Sequence, residues 1–313
     1  MQAIRLVNTT DITDKEWLEW RRRGITGSDI GAICGINKWS SPVSVYMDKL
    51  GELPEQEDNE AMYFGRILED VVAKEFSFRT GFRVERRNAI LQHLEHEWAL
   101  ANIDRLIIDR EKGHGILEVK TTSEYLKDQW TDDEVPASYL TQIQWYLFVT
   151  GLQWGYFATL IGGNKFIMKY VERDDELIQY LFDIGKEFWE EHVLKKAPPA
   201  FDGSDASTKL LSELYPKSED GSQTELPDEA NALITAIEQL KQDEKDLETT
   251  RKEYENKLKS MLGDFESGVI GDREVTWRSY ETTRFDSKSF RKDHEDLFEK
   301  YRKTTLARRL LIK

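Results

Sequence analysis

One cysteine, Cys34, excludes any disulfide within the chain, and it excludes a cysteine-held iron–sulfur cluster as well. No apolar run approaches the roughly 20 residues that a bilayer-spanning helix needs. The opening Met1-Gln2-Ala3-Ile4-Arg5 lacks the apolar stretch of a secretory leader. A soluble cytoplasmic protein with no membrane partner is expected. Excess positive charge is also missing, with a formal net charge of -15. That excludes indiscriminate coating of nucleic acid and fits an acid-rich protein that admits a polyanion at one restricted place. Basic charge is local, at Arg21-Arg22-Arg23 and at Arg302, Lys303, Arg308, Arg309 and Lys313. Gly162-Gly163 is followed by no Lys-Ser/Thr pair, so it reads as a turn and not as a phosphate loop.

What is present is a chain of 313 residues, long enough for one large domain or one domain with an appendage. Thr13-x-x-Glu16 is a capping box that starts a helix through Arg22, and Ser28 reads as the N-cap of a short helix ending near Gly35. Ser41-Pro42 opens a helix closed by Gly51, and residues 52–59 form a polar loop. A long helix over 60–80 carries Phe64, Ile67, Leu68, Val71, Val72 and Phe76 as its expected buried stripe. The period then changes, predicting strands near 83–92, 97–109 and 115–122, the last two folded into a hairpin. Helix 139–150, strand 156–160, a return strand 165–171 and an amphipathic helix 174–194 follow. The order predicts an α/β fold with a central mixed sheet flanked by helices.

Pro198-Pro199 and the polar run 202–208 mark a boundary between a domain over 1–203 and an extension over 204–313. In the extension, Leu233, Ile237, Leu240, Leu247, Tyr254, Leu258 and Met261 advance by alternating steps of four and three, with Glu244 and Arg251 completing the series. This is a heptad helix that packs along a partner helix, preferably the chain's own C-terminal one. A hairpin across Gly271-Asp272, a helix over 287–302 and a terminal strand in the last ten residues complete it.

On the hairpin, Glu118 and Lys120 share one face of a strand while Leu117 and Val119 point to the other, and Asp104 lies opposite that stretch. Two carboxylates and an ammonium on a half-buried sheet cost desolvation that folding does not ask for. A hard divalent cation offsets it. Magnesium takes one or two carboxylates, keeps several waters and binds phosphate oxygens. Lys120 would orient or deprotonate a water. Glu69, at the edge of the long helix one turn after Gly65, is a third acid. His93 and His96 read as loop polar surface, and Trp130, Trp145, Trp154 and Trp189 as core or interface.

The set gains specificity in combination. Trp17 to Ser28 (WLEWRRRGITGS), Phe64-Gly65-Arg66-Ile67-Leu68-Glu69, Asn102-Ile103-Asp104, Leu117-Glu118-Val119-Lys120 and Gln142-Ile143-Gln144-Trp145 stand in order. Together they resemble the YqaJ/phage lambda exonuclease family, of the PD-(D/E)xK nuclease fold, over about residues 10–200. The resemblance implies a Mg2+-dependent (Mn2+ as substitute), two-metal deoxyribonuclease that degrades one strand of linear double-stranded DNA from its 5′ end. The 3′ overhangs would feed phage or prophage recombination in a bacterial cytoplasm. It implies Asp104, Glu118 and the Val119 carbonyl as metal ligands, with Glu69 accessory. Lys120 would be catalytic, Gln142 would sit near the attacking water, and Arg21 and Ser28 would bind the 5′-phosphate. Asn102 and Trp39 are further candidates for DNA contact. Partners implied are DNA ends, a homo-oligomeric ring (a trimer by preference) and a single-strand annealing protein. An endonuclease of the same fold and a non-catalytic DNA-end-binding scaffold are the alternatives. Ile103 replaces the proline of the fold motif, Asn102 replaces a serine of the lambda enzyme, and the gap from Asp104 to Glu118 is longer.

Overall fold

The computed structural model describes residues 2–54, 58–130 and 134–312. Part of the 52–59 loop and Lys313 therefore lie outside the described residues. The chain divides into two compact units, the first running to Tyr215 and the second starting at Pro216.

Local signals set most element ends in the first unit. After strand β1 (Ile4–Asn8), helix α1 (Asp14–Arg21) begins at the Thr13 capping box. Helix α2 (Gly27–Ile33) begins two residues earlier than expected. Thr26, not Ser28, is its N-cap, because the Asp29 carboxylate at the third helical position accepts the Thr26 N–H. Ser28 is left free for other work. Helix α3 (Pro42–Leu50) ends at Gly51, whose φ of 75° is the left-handed conformation glycine adopts at low cost. Helix α4 (Glu60–Thr80) follows. Its expected stripe is only half correct. Val72 and Phe76 are buried, with Ala73, whereas Phe64, Ile67 and Val71 are exposed. The residues of α4 buried against the sheet all lie in its C-terminal half.

The segment expected as one strand over 83–92 is two, feeding different sheets. Strand β2 (Arg83–Arg86) joins a five-stranded sheet, while β3 (Ala89–Gln92) pairs with β1 and with the short β4 (Leu100–Ala101). Strands β5 (Arg105–Ile108) and β6 (His114–Thr122) form the expected hairpin, with Arg105 opposite Leu117. Helix α5 (Ala137–Thr150) leads to β7 (Trp154–Ile161), which lies parallel to β6, and β8 (Lys165–Glu172) returns antiparallel. The sheet order is β2-β5-β6-β7-β8. Helix α6 (Asp175–Glu187) runs on as a π-helical turn over Phe188–Leu194, and α7 (Asp205–Leu214) packs on α3.

Apolar residues sort by strand parity onto two faces. Ile107, Leu117, Val119 and Ala158 pack with Val72, Ala73 and Phe76 of α4. Ile116 and Phe157 pack on the other face with Ile143 and Trp145 of α5, Ile30 of α2 and Leu181 of α6. Trp130, Trp145 and Trp154 are buried, as expected. His93 and His96 stack on each other and on Phe148, and His93 Nδ1 accepts the backbone N–H groups of Glu95 and His96.

The second unit holds α8 (Ala230–Leu262), the hairpin β9 (Ser267–Ile270) and β10 (Arg273–Thr276), and two short helices, α9 (Ser287–Asp293) and α10 (Glu295–Tyr301). Two expectations fail here. The heptad stripe of α8 does not pack against the chain's own C-terminal helix, since Leu240, Leu247 and Tyr254 are all exposed. The terminal strand does not form, because residues 302–312 find no strand to pair with.

Gly155 in β7 sits where a Cβ would lie 2.8 Å from the Ile116 carbonyl oxygen and 2.8 Å from Ile143 Cδ1. Backbone cannot yield as a side chain can. Gly155→Ala should lower unfolding free energy by about 1–3 kcal/mol in urea titration; an unchanged midpoint would contradict this packing.

Candidate active site

Strand parity delivers the acids to one place. Arg105 pairs with Leu117, so the next step along both strands sets Asp104 beside Glu118. Leu117 and Val119 face α4, which leaves Glu118 and Lys120 facing α5. The Asp104 Oδ2 accepts the Val119 N–H at 2.8 Å, which fixes the first carboxylate against the strand carrying the second. Lys120 Nζ donates to Glu118 Oε1 at 2.9 Å and to Gln142 Oε1 at 3.0 Å, and lies 5.0 Å from the centre of the Tyr139 ring. Gln142 Nε2 donates in turn to Glu118 Oε1 at 2.8 Å and to Tyr146 Oη. Glu118 Oε2 is buried with no hydrogen-bond partner.

Burial raises the pKa of Asp104 well above the ordinary value, and the Glu118 charge raises it further against the pull of Lys120. Burial raises that of Glu118 too, with Lys120 opposing. Burial alone would lower Lys120, but Glu118 and Asp104 outweigh it and hold the ammonium above its usual range. Lys120 is therefore a cation at neutral pH. Its Nζ is here a hydrogen-bond donor to Glu118 and Gln142. Two buried acids against one lysine leave the site short of positive charge.

Glu69 reaches this strand end from α4. Its Oε1 accepts from Arg105 Nη1 at 2.5 Å, and Arg105 Nη2 also holds Asp70 Oδ1 at 2.5 Å. Arg86 bonds the same Asp70 oxygen at 2.7 Å. Buried Arg105 thus clamps α4 to the sheet. Gly65 of α4 also faces β6, where a Cβ would lie at ordinary contact distance, 3.5 Å, from Thr121 Oγ1. Among the described residues no cluster of three or more His, Cys, Asp or Glu forms a cation site. The donors gathered are the Asp104–Glu118 pair.

A second group stands next to it. Arg21 Nη2 donates to Ser28 Oγ at 2.7 Å and to Thr26 Oγ1 at 3.2 Å, and its guanidinium lies 4.5 Å from the centre of the Trp17 ring. Arg21 Nε is buried without a partner. The loop is fixed by a parallel bridge between Ile25 and Ala99. Beneath it, Lys49 Nζ donates to Asp29 Oδ2 at 2.7 Å and to the Arg21 carbonyl at 3.3 Å. Burial alone would raise the Asp29 pKa, but the Lys49 and Arg21 charges prevail and hold it below its ordinary value. The two groups meet through Tyr146. Its ring fills the space beside Gly27, where a Cβ would lie 2.4 Å from Cε1, while its hydroxyl takes the Gln142 bond.

The sequence reading missed Thr26, Asp29, Lys49, Arg105 and Tyr146. Thr26-x-x-Asp29 is a legible capping pattern. Lys49 looks like an ordinary last-turn lysine, and nothing in sequence shows that it is buried. Asn102, between β4 and Asp104, has a buried Oδ1 without a partner. Trp39 is 82% exposed on the loop after α2.

Removing one member of a buried ion pair strands the other charge. Lys49→Met should cost about 3–5 kcal/mol in chemical denaturation. In the parent protein the folded pKa of Asp29 is depressed. The pair's contribution is therefore present above the unfolded value of about 4 and lost as pH falls through the folded one. The gap between parent and variant should narrow on acidification.

Comparison with known proteins fits this geometry. Residues 16–153 match the model of the YqaJ-like viral recombinase domain. The whole chain is 42% identical to the YqaJ protein of Bacillus subtilis (strain 168), across 98% of that protein. Among solved structures, LHK-Exo in complex with dAMP superposes with a TM-score of 0.50 at 20% identity, covering 64% of this chain and all of that one. The alkaline exonuclease LHK-Exo from Laribacter hongkongensis gives 0.48 over the same shares. The superposition shows that the first unit shares the fold of LHK-Exo. No helix among the described residues is long and apolar enough to cross a membrane. On the full-length identity, the chain belongs to the YqaJ-like viral recombinase family.

Proposed function

We propose that this chain is a Mg2+-dependent exonuclease that degrades one strand of linear double-stranded DNA from the 5′ end, leaving 3′ overhangs for phage-type recombination. The observation that carries the reading is the unpartnered, buried Glu118 Oε2 beside Asp104. An orphaned carboxylate oxygen in a site short of positive charge fits a hard cation. Asp104, Glu118 and the Val119 carbonyl would hold the metal, with Glu69 as accessory acid steadied by Arg105. When bound, Mg2+ acidifies water and stabilises charge on a phosphate; Mn2+ has the same ligand preference.

The chain's own groups do the rest. Lys120, kept protonated by the two acids, donates toward charge developing on the scissile phosphate. Gln142 holds Lys120 and Glu118 in register and has its amide next to the attacking water. Arg21, Ser28 and the N-terminus of α2 form the pocket for a 5′-phosphate, and the unsatisfied Arg21 Nε supports that role. Asn102 and Trp39 would contact the DNA. Such a pocket is what separates an exonuclease from an endonuclease of this fold, and the complete acid–lysine set argues against a non-catalytic DNA-end-binding scaffold. A homo-oligomeric ring, preferably a trimer, would give processivity, and a single-strand annealing protein would receive the product. A bacterial cytoplasm is the setting this implies.

Linear duplex with 5′-phosphates should lose its 5′ strand in Mg2+, resist in chelator, and be cut faster than duplex with 5′-hydroxyls. Covalently closed circles should survive. Equal attack on circles would replace this reading with the endonuclease. Lys120→Ala should lower the cleavage rate by at least about a hundredfold while a gel-shift assay shows DNA binding retained; undiminished cleavage would place the chemistry elsewhere.

A further inference from the structure

Helix α8 spans 33 residues, about 50 Å, and its heptad stripe is uncovered. Leu233, Leu240, Leu247, Tyr254, Leu258 and Met261 are all exposed. A stripe of this period is a seam for another helix. We propose that α8 pairs antiparallel with α8 of a second copy of this chain, the two-fold axis passing beside Thr249. The inference stands apart from the nuclease reading.

Charge selects both partner and direction. In a parallel pair each seam residue meets its own copy. Glu244 would face Glu244, Arg251 would face Arg251, and Asp243 would flank Glu248 of the other helix. All three contacts repel.

Reversing one helix changes every term. With Leu247 level with Arg251 of the second copy, Leu240 meets Leu258, Ile237 meets Met261 and Glu244 meets Tyr254. Glu244 and Arg251 of opposite helices then lie one layer apart. The flanking positions bring Asp243 to Lys257 and Lys241 to Glu255, each twice by symmetry, and Ile234 to Leu262. One like-charge contact remains, Glu248 across the axis, and it is offset by Lys252, whose Nζ sits 2.8 Å from Glu248 Oε1 on the same helix.

The register is specified too. A shift of one heptad in either sense separates Asp243 from Lys257, and in one sense it also sets Glu248 against Glu255. Within one helix, Lys257 bonds Glu253 at 2.6 Å and Arg251 lies 3.4 Å from Glu255. Such exposed pairs are worth a few tenths of a kcal/mol and do not hold the side chains back.

The test uses the full chain with Cys34→Ser. Asp243→Cys protein is mixed with Lys257→Cys protein and treated with a short bismaleimide. The mixed cross-link should exceed either self-cross-link at least fivefold. In a parallel pair the two thiols would be 14 residues, about 21 Å, apart and out of reach. Separately, Lys257→Glu should weaken self-association about tenfold in sedimentation equilibrium, and adding Asp243→Lys should restore it. Both positions are exposed, so circular dichroism should be unchanged. Absence of the mixed cross-link, an excess of self-cross-links, or no recovery in the double variant would overturn the proposal.

Discussion

Everything at the candidate site depends on a charge imbalance built into the β5–β6 hairpin. Glu118 is buried and Asp104 half-buried on one sheet face, with a single lysine bonded to Glu118. The pair would be cheaper to bury protonated, and their raised pKa values express that tendency. The surrounding structure resists the tendency: Val119 N–H, Lys120 and Gln142 all bond to the carboxylates. What remains is one free oxygen and a deficit of positive charge, which is the condition under which a hard cation binds.

The rest of the first unit can be read as support for that hairpin. Apolar layers on both faces fix the parity of β6, so Leu117 and Val119 cannot exchange faces with Glu118 and Lys120 without turning charge into the α4 interface. Arg105 ties α4 to the same strand end through Glu69 and Asp70. The proposed function is compatible with the overall acidity of the chain, because it assigns the substrate contacts to local basic groups, Arg21 and Lys120.

Sequence revealed the hairpin because period-two alternation and a glycine turn are local signals. It offered Asp104, Glu118 and Lys120 as a candidate set from their shared strand face and from the family resemblance, and the structure brings the three together. It misplaced the cap of α2, since Thr26 and Ser28 are equally good cap residues and only the Asp29 partnership decides between them. It overstated the buried stripe of α4, because periodicity cannot show where a neighbouring sheet ends. Strand β1 passed unseen because its partner β3 lies some 80 residues away. Lys49 was illegible for a similar reason: burial of a lysine is decided by what folds over it.

The contact between Gly27 and Tyr146 has a mechanical consequence. Bare backbone meets an aromatic ring whose hydroxyl is bonded to the amide steadying Glu118. The start of α2 is thereby linked to Glu118 through one ring and one amide, so a shift of either is passed to the other.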